Sequence, residues 1–243
     1  MTGEDTLMGG RVRLLQGQDG YRAAIDPVLL AASVPATEGQ QVLELGAGGG
    51  AAALCLGMRV AGVRITGIEL QADLVDLARK SADLNGLGDR VTFMVADVLA
   101  PPRGLVAGSF DHVMANPPYL SAKSGHPPPG AAKAMANVEG AAVLVDWIDC
   151  ALAMVRDKGR VTFIHRADRI DEILAALHGK LGAVTTLPLW PKSGKAAKRV
   201  IVQGRKGVAS PSVIHPGMVL HGADGGYTKA AEMVLKDGAA LAF

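Results

Sequence analysis

A chain of 243 residues, 49% hydrophobic but only 4% aromatic and carrying 31 glycines, has the make-up of an Ala/Gly/Val-rich α/β protein and not of an aromatic-cored β-sandwich. The length suits one large domain with a good core. A formal net charge of +2 excludes a globally basic nucleic-acid binder, so only a local cluster of charge could serve that purpose.

The N-terminus, "MTGEDTLMGG", has acids and glycines where a signal peptide carries a basic and then an apolar run. No apolar stretch of about 18 residues free of charge follows, so no membrane span is expected and a soluble, cytoplasmic protein is. Residues 1–40 form a lead-in before the first predicted strand. Within it, "IDPVLLAAS" predicts a helix with Asp26 at the N-cap and Pro27 at N1. Tyr21 and Arg22 in "GYR" are candidates for lining a substrate or cofactor entrance.

From residue 41 strand-like runs alternate with helix-like ones. "QVLEL" (41–45) precedes a glycine turn and "AAALCLGMRV". "RITGIEL" (64–70) precedes a helical stretch with Leu74, Leu77, Ala78 and Ala82 on one face, stopped by Asn85-Gly86. "RVTFMV" (90–95) and "FDHVMA" (110–115) are the next strands. Residues 142–156 return to helical period, with Leu144, Ile148, Ala151, Leu152 and Val155 on a stripe. Asp157-Lys158-Gly159 is expected to end that helix before the strand "RVTFIH" (160–165). Alternation of this kind predicts βαβ units, a parallel sheet, and helices on both faces. Ligands bind such sheets outside the carboxyl ends of the strands, so the residues just after 45, 69, 96 and 115 matter most.

Those positions carry chemistry. Gly46, Gly48 and Gly50 allow a sharp turn and close approach of backbone to a ligand. Glu69 stands about twenty residues beyond them, where an acid can accept from ribose hydroxyls. Asp97 ends the third strand and could accept from an adenine amine. The glycine pattern alone does not separate a dinucleotide from S-adenosylmethionine. The two cysteines, Cys55 and Cys150, lie far apart, which predicts reduced thiols and no disulfide framework. The six histidines show no metal-ligand spacing, so no metal is expected.

Later in the chain, "SAKSGHPPPGAAKAMAN" (121–137) reads as a loop with little to bury. No Asp or Glu falls between Glu172 and Asp224, while Lys180, Lys192, Lys195, Lys198, Arg199, Arg205 and Lys206 do. Such a tract suits contact with RNA phosphates or a merely solvated face. Trp190 lies beside it, as core or as a stacking aromatic.

The set "ELGAGGG", "GIEL", "AD" and "NPPY" resembles the class I S-adenosylmethionine-dependent methyltransferases, in the branch with NPPY at the fourth strand. The resemblance implies a Rossmann-like, seven-stranded, mostly parallel sheet with the last strand antiparallel, and "RVIVQG" (199–204) as that strand. It implies S-adenosylmethionine as cofactor, held by Glu44, Gly46, Ala47, Gly48, Gly50, Glu69, Leu70, Asp97, Val98 and Asn116. The lead-in "LQGQDGYRAAIDPVLLAA" and the tail "GADGGYTKAAEMVL" are similar to those of the bacterial tRNA (adenine-N6)-methyltransferases of valine tRNA. Residues 1–243 are then one methyltransferase domain: the lead-in 1–40, a core 41–206 and a C-terminal extension 207–243.

The NPPY residues suggest how an unreactive nitrogen is made to react. An exocyclic amine delocalises its lone pair into the ring. Acceptors aimed at its hydrogens, the Asn116 side-chain oxygen and the Pro117 carbonyl, localise that lone pair toward the methyl group. The prolines hold the carbonyl in place, and Tyr119 offers a face for a base to stack on. The catalytic residues are therefore Asn116, Pro117 and Tyr119. Tyr21, Arg22, Lys192, Lys195, Lys198 and Arg199 are candidates for contact with RNA. The expected activity is methylation of adenine N6 in tRNA, with a protein glutamine amide or guanine N2 as alternative acceptors.

Overall fold

A computed structural model describes residues 2–17, 23–119 and 141–241. The lead-in contains more than a helix. β1 (Thr2–Leu7) and β2 (Val12–Gly17) pair antiparallel as a separate two-stranded sheet. The alternation of β2 is clear once it is placed: Val12, Leu14 and Gln16 face inward. α1 (Asp26–Ser33) follows, with Pro27 in its first turn. Its N-cap is Ile25, and the Asp26 side chain caps nothing, contrary to the sequence expectation.

β3 (Gln41–Leu45), α2 (Ala51–Arg59), β4 (Arg64–Glu69), α3 (Ala72–Leu84), β5 (Val91–Val95) and β6 (Phe110–Ala115) fall within a residue or two of the predicted elements. α4 (Leu144–Met154) stops earlier than its periodicity suggests. Val155 opens the twelve-residue β7 (Val155–Arg166), and Asp157-Lys158-Gly159 lies inside that strand. Lys158 takes φ 59° there. The pairing of β7 with β6 also shifts register between Phe110 and His112, which absorbs the irregularity. α5 (Ile170–Leu177) and β8 (Leu181–Lys192) precede β9 (Arg199–Lys206). The tail adds β10 (Val213–Ile214), β11 (Met218–His221) and α6 (Lys229–Leu235).

Among the described residues the large sheet has nine strands, in the order β10-β8-β9-β7-β6-β3-β4-β5, with β11 also on β8. The seven from β8 to β5 form the expected core. β9 runs antiparallel to both its neighbours, β7 and β8, as predicted for 199–204. The short β10 and β11 were not expected; they add to β8 in parallel. In β8, Trp190 donates from Nε1 to the Pro216 carbonyl at 3.0 Å, bracing the turn before β11.

Residues of β3 feed two cores. Val42 packs with α1, α2 and α3, while Leu43 and Leu45 pack with α4 and α5. Helices therefore cover both faces, and β3 and β6 are buried almost throughout, as internal parallel strands are. The face of α3 turns slightly from its predicted centre. Val75, Ala78, Ser81 and Ala82 are buried, while Leu74 and Leu77 line a cavity. No helix among the described residues is long and apolar enough to cross a membrane.

Candidate active site

Register alone brings the predicted strand ends together. Leu45 pairs with Ile68 on one side and Ala115 on the other, and Glu69 pairs with Val95. The glycine turn, Glu69, Asp97 and Asn116 thus meet at one edge, around a cavity of roughly 410 Å³. This is where the chain order of the sheet reverses, between β3 and β6.

A further wall comes from residues the sequence did not mark. Leu14, Leu15, Gln16 and Gly17 of β2 line the same cavity. The hairpin is fixed there by α3: Leu15 N donates to Ser81 Oγ at 3.0 Å, and Arg13 N to Asn85 Oδ1 at 2.9 Å. Trp147 of α4 closes the floor. Its period-matched position marks it only as core, and its cavity role depends on a neighbour distant in sequence. That neighbour is Gly46, at φ 64°, where an added Cβ would stand 2.5 Å from the Trp147 ring.

The turn positions charge as well as shape. Gly48 N donates to Glu69 Oε2 at 2.9 Å, and Gln71 N to Oε1 at 3.0 Å. Each oxygen retains a lone pair for a ligand hydroxyl. Asp97 Oδ1 accepts from Leu99 N at 2.9 Å, which fixes that carboxylate at the rim. Leu70, 61% exposed, and Val98 border the same space and supply apolar surface for a flat ring.

Glu44 lies beneath the turn, buried, with Oε2 accepting from Ala53 N in the first turn of α2 at 2.9 Å. Burial pushes its pKa up to about 8, against the Ala53 hydrogen bond and with a smaller push from the Glu69 charge. Burial also drives His112 and His165 down to about 4. These shifts act on stability with opposite sign. Between pH 4.5 and 6.5 the unfolded chain binds more protons at the two histidines, so stability rises with pH. Glu44 works the other way, because the folded state holds its proton up to about pH 8. Stability should rise to about pH 6.5, where two groups outweigh one, and then fall toward pH 8. Glu44→Gln keeps an acceptor for Ala53 and should abolish that fall, as read from urea midpoints across pH. A fall that survives the substitution would refute the assignment.

At the fourth strand end, Asn116 follows Ala115 and faces the cavity. Its Oδ1 is buried and has no hydrogen-bond partner among the described residues, and neither does Trp147 Nε1. An orphaned buried acceptor is costly in a folded protein, and its presence at a ligand-sized cavity points to a ligand donor that completes it. Pro117, Pro118 and Tyr119 continue the wall.

Tyr119 is held on several sides. Its hydroxyl donates to Asp26 Oδ2 at 2.6 Å. Arg199 Nε donates to the same oxygen at 2.9 Å, and the Arg199 guanidinium lies over the Tyr119 ring, 4.4 Å from its centroid. His165 meets the ring edge-on at 5.3 Å. Asp26, read from sequence as a cap, is thus part of the NPPY surroundings, 173 residues from its cationic partner.

The basic tract divides. Lys180 pairs with Asp149, Lys206 Nζ donates to the Leu152 and Val155 carbonyls, and Arg205 reaches the Lys158 carbonyl. Arg199 turns inward. Lys192, Lys195 and Lys198 remain exposed at the β8–β9 turn. Tyr21, Arg22 and the 121–137 segment lie outside the described residues.

A family model described as a methyltransferase domain matches residues 42–138. The tRNA1(Val) (adenine(37)-N6)-methyltransferase of Aeromonas hydrophila is 29% identical over 209 residues, covering 85% of this chain and 85% of that protein. The release factor glutamine methyltransferase of Chlorobaculum tepidum is 36% identical over 93 residues, 38% of this chain. This chain spans only 32% of that second enzyme's length. The crystal structure of a "predicted O-methyltransferase" from Agrobacterium tumefaciens has a TM-score of 0.75 at 26% identity, covering 90% of this chain and 99% of that one.

Proposed function

We propose that this chain, a class I S-adenosylmethionine-dependent methyltransferase, methylates the N6 amine of an adenine in tRNA. The observation that carries the reading is the buried Asn116 Oδ1, without a partner among the described residues, on the wall of the cavity shared with the glycine turn. It is an acceptor waiting for an N–H.

S-adenosylmethionine supplies a methyl group already electrophilic on its sulfonium. The glycine turn of residues 46–50 would let backbone approach it closely, Glu69 would accept from the ribose hydroxyls, and Leu70, Asp97 and Val98 would border the adenine. Glu44 and Ala47 support that turn from below and within. For the acceptor, Asn116 Oδ1 would accept a hydrogen bond from one amine N–H and the Pro117 carbonyl from the other. Those two contacts would turn the nitrogen lone pair toward the methyl group, which the cofactor when bound would give up from its sulfonium to that nitrogen, leaving a neutral thioether. The extra proton on nitrogen becomes acidic and passes to water. The target base has to leave its stack to reach this depth, and Tyr119 is the ring it meets.

The extent of the similarity supports adenine over glutamine. The adenine enzyme aligns along most of both chains, whereas the glutamine enzyme aligns over part of each. The flanks take part in the site: β2 walls the cavity, and we treat residues 1–243 as one methyltransferase domain. Lys192, Lys195 and Lys198 are assigned to RNA phosphates.

The protein should be incubated with total tRNA and methyl-labelled cofactor, and the digested nucleosides resolved by mass spectrometry. Labelled N6-methyladenosine is expected, with a yield that drops steeply as salt is raised. Label in N2-methylguanosine, or in glutamine of an added release factor and not in tRNA, would overturn the reading.

A further inference from the structure

Three groups from three distant parts of the chain converge on Pro118-Tyr119. Asp26 opens α1, His165 sits near the end of β7, Arg199 opens β9, and Tyr119 itself follows β6. Asp26 Oδ2 accepts from both the Tyr119 hydroxyl and Arg199 Nε. The Arg199 guanidinium covers one face of the ring. His165 Nε2 lies 3.4 Å from the Pro118 carbonyl oxygen, so the imidazole donates there while its ring edge meets Tyr119.

The Asp26–Arg199 pair is not an ordinary surface bridge. The Asp26 side chain is only 11% exposed and the Arg199 side chain 31%. Three donors and one ring are arranged so that neither the hydroxyl nor the plane of Tyr119 can move without breaking a charge-assisted contact. A guanidinium over an aromatic face also draws on the ring's negative quadrupole.

We infer that Asp26 and Arg199 are positioning residues, a clamp that sets the plane of the Tyr119 ring at the cavity wall. The inference rests on the methyltransferase reading of this site. It also reassigns Arg199 from phosphate contact to ring support. Small errors in placing a reactant are expensive: a shift of about 1 Å can cost roughly 100-fold in rate.

The clamp makes an energetic prediction that simple packing does not. Tyr119→Phe removes the hydroxyl and keeps the ring; Asp26→Ala removes its acceptor. Each should lower kcat by about 10-fold or more, with cofactor affinity by calorimetry unchanged. The double variant should be no worse than Asp26→Ala, because the two changes cut the same contact. Asp26→Asn provides a second route should the alanine variant fold poorly: it retains an acceptor for the hydroxyl and should recover part of the loss. Additive losses, or lower melting temperatures with kcat intact, would overturn the clamp.

A second readout does not depend on the acceptor. The chain has three tyrosines. With ring-labelled tyrosine, the resonance lost in Tyr119→Phe identifies Tyr119. That resonance should move in Arg199→Lys, which keeps the charge but loses the planar cover. An unmoved resonance would also refute the proposal. If the wild-type protein methylates no tRNA, the adenine reading fails, and the tyrosine spectra still decide the clamp.

Discussion

Replacing Asn116 with Ala is expected to lower methyl transfer by about 100- to 1,000-fold, the range seen when one preorganised hydrogen-bonding group is removed from a reacting centre. The fold should hardly notice. Asn116 Oδ1 has no partner to lose among the described residues, and truncation removes a buried orphan. Cofactor affinity should fall far less than methyl transfer, since Asn116 is only one of the residues assigned to the cofactor and the glycine turn, Glu69 and Asp97 are untouched. A drop in kcat at nearly constant cofactor affinity is the signature of an interaction made with the reacting nitrogen. Asn116→Asp provides the sharper control. A carboxylate still accepts from an amine hydrogen, so it should retain far more activity than Ala. Full activity in the Ala variant, measured as labelled methyl in RNA, would remove Asn116 from the chemistry.

The second large effect should come from Gly46→Ala, and should strike binding before chemistry. Gly46 takes φ 64°, which costs an L-residue about 1–2 kcal/mol. The new methyl would also stand 2.5 Å from the Trp147 ring, and overpacking of that kind costs about 1–3 kcal/mol. Trp147 cannot step aside cheaply, because it lies between Leu144 and Ile148 on the buried stripe of α4. The turn or the helix must shift, and the cavity loses its shape either way. Cofactor binding by calorimetry should fall by more than 10-fold, with a lowered melting temperature. Adding Trp147→Leu opens room for the methyl but leaves the backbone strain, so it should restore part of the stability. Unaltered cofactor binding in Gly46→Ala would mean the ligand does not use this turn.

Strand ends were legible because parallel-sheet chemistry is local in sequence. The glycines, Glu69, Asp97 and the Asn116 step each stand just after an apolar run, and the sheet does the rest. What the sequence hid depends on pairing or packing at a distance. The β1–β2 hairpin shows a period of two only on its inner face, and its contacts with Ser81 and Asn85 lie 66 and 72 residues away. Asp26-Pro27 has the look of a helix start and is one, yet the carboxylate is used by Tyr119 and Arg199 instead of the helix. Val155 fits a helical stripe by spacing, but the strand ladder beside β6 claims it. The lysines and arginines of 180–206 looked like one tract because charge is counted along the chain. In space only part of it remains outward.

The reversal of β9 has a consequence for how such a protein can change. Because β9 runs against its neighbours, the β8–β9 turn comes out at the same rim as the cofactor turn and Asn116, while belonging to neither. The half of the sheet from β3 to β5 carries the glycine turn, Glu69 and Asp97, the residues we assign to the methyl donor. The half from β6 to β9 carries Asn116, Tyr119, Arg199 and the three outward lysines. The rim turn can lengthen, shorten or exchange its charges without moving a strand of the donor half. On the proposed assignment, choice of acceptor and use of donor would be mechanically separable, and a new specificity could be grafted on one side of the cleft while the other stays as it is.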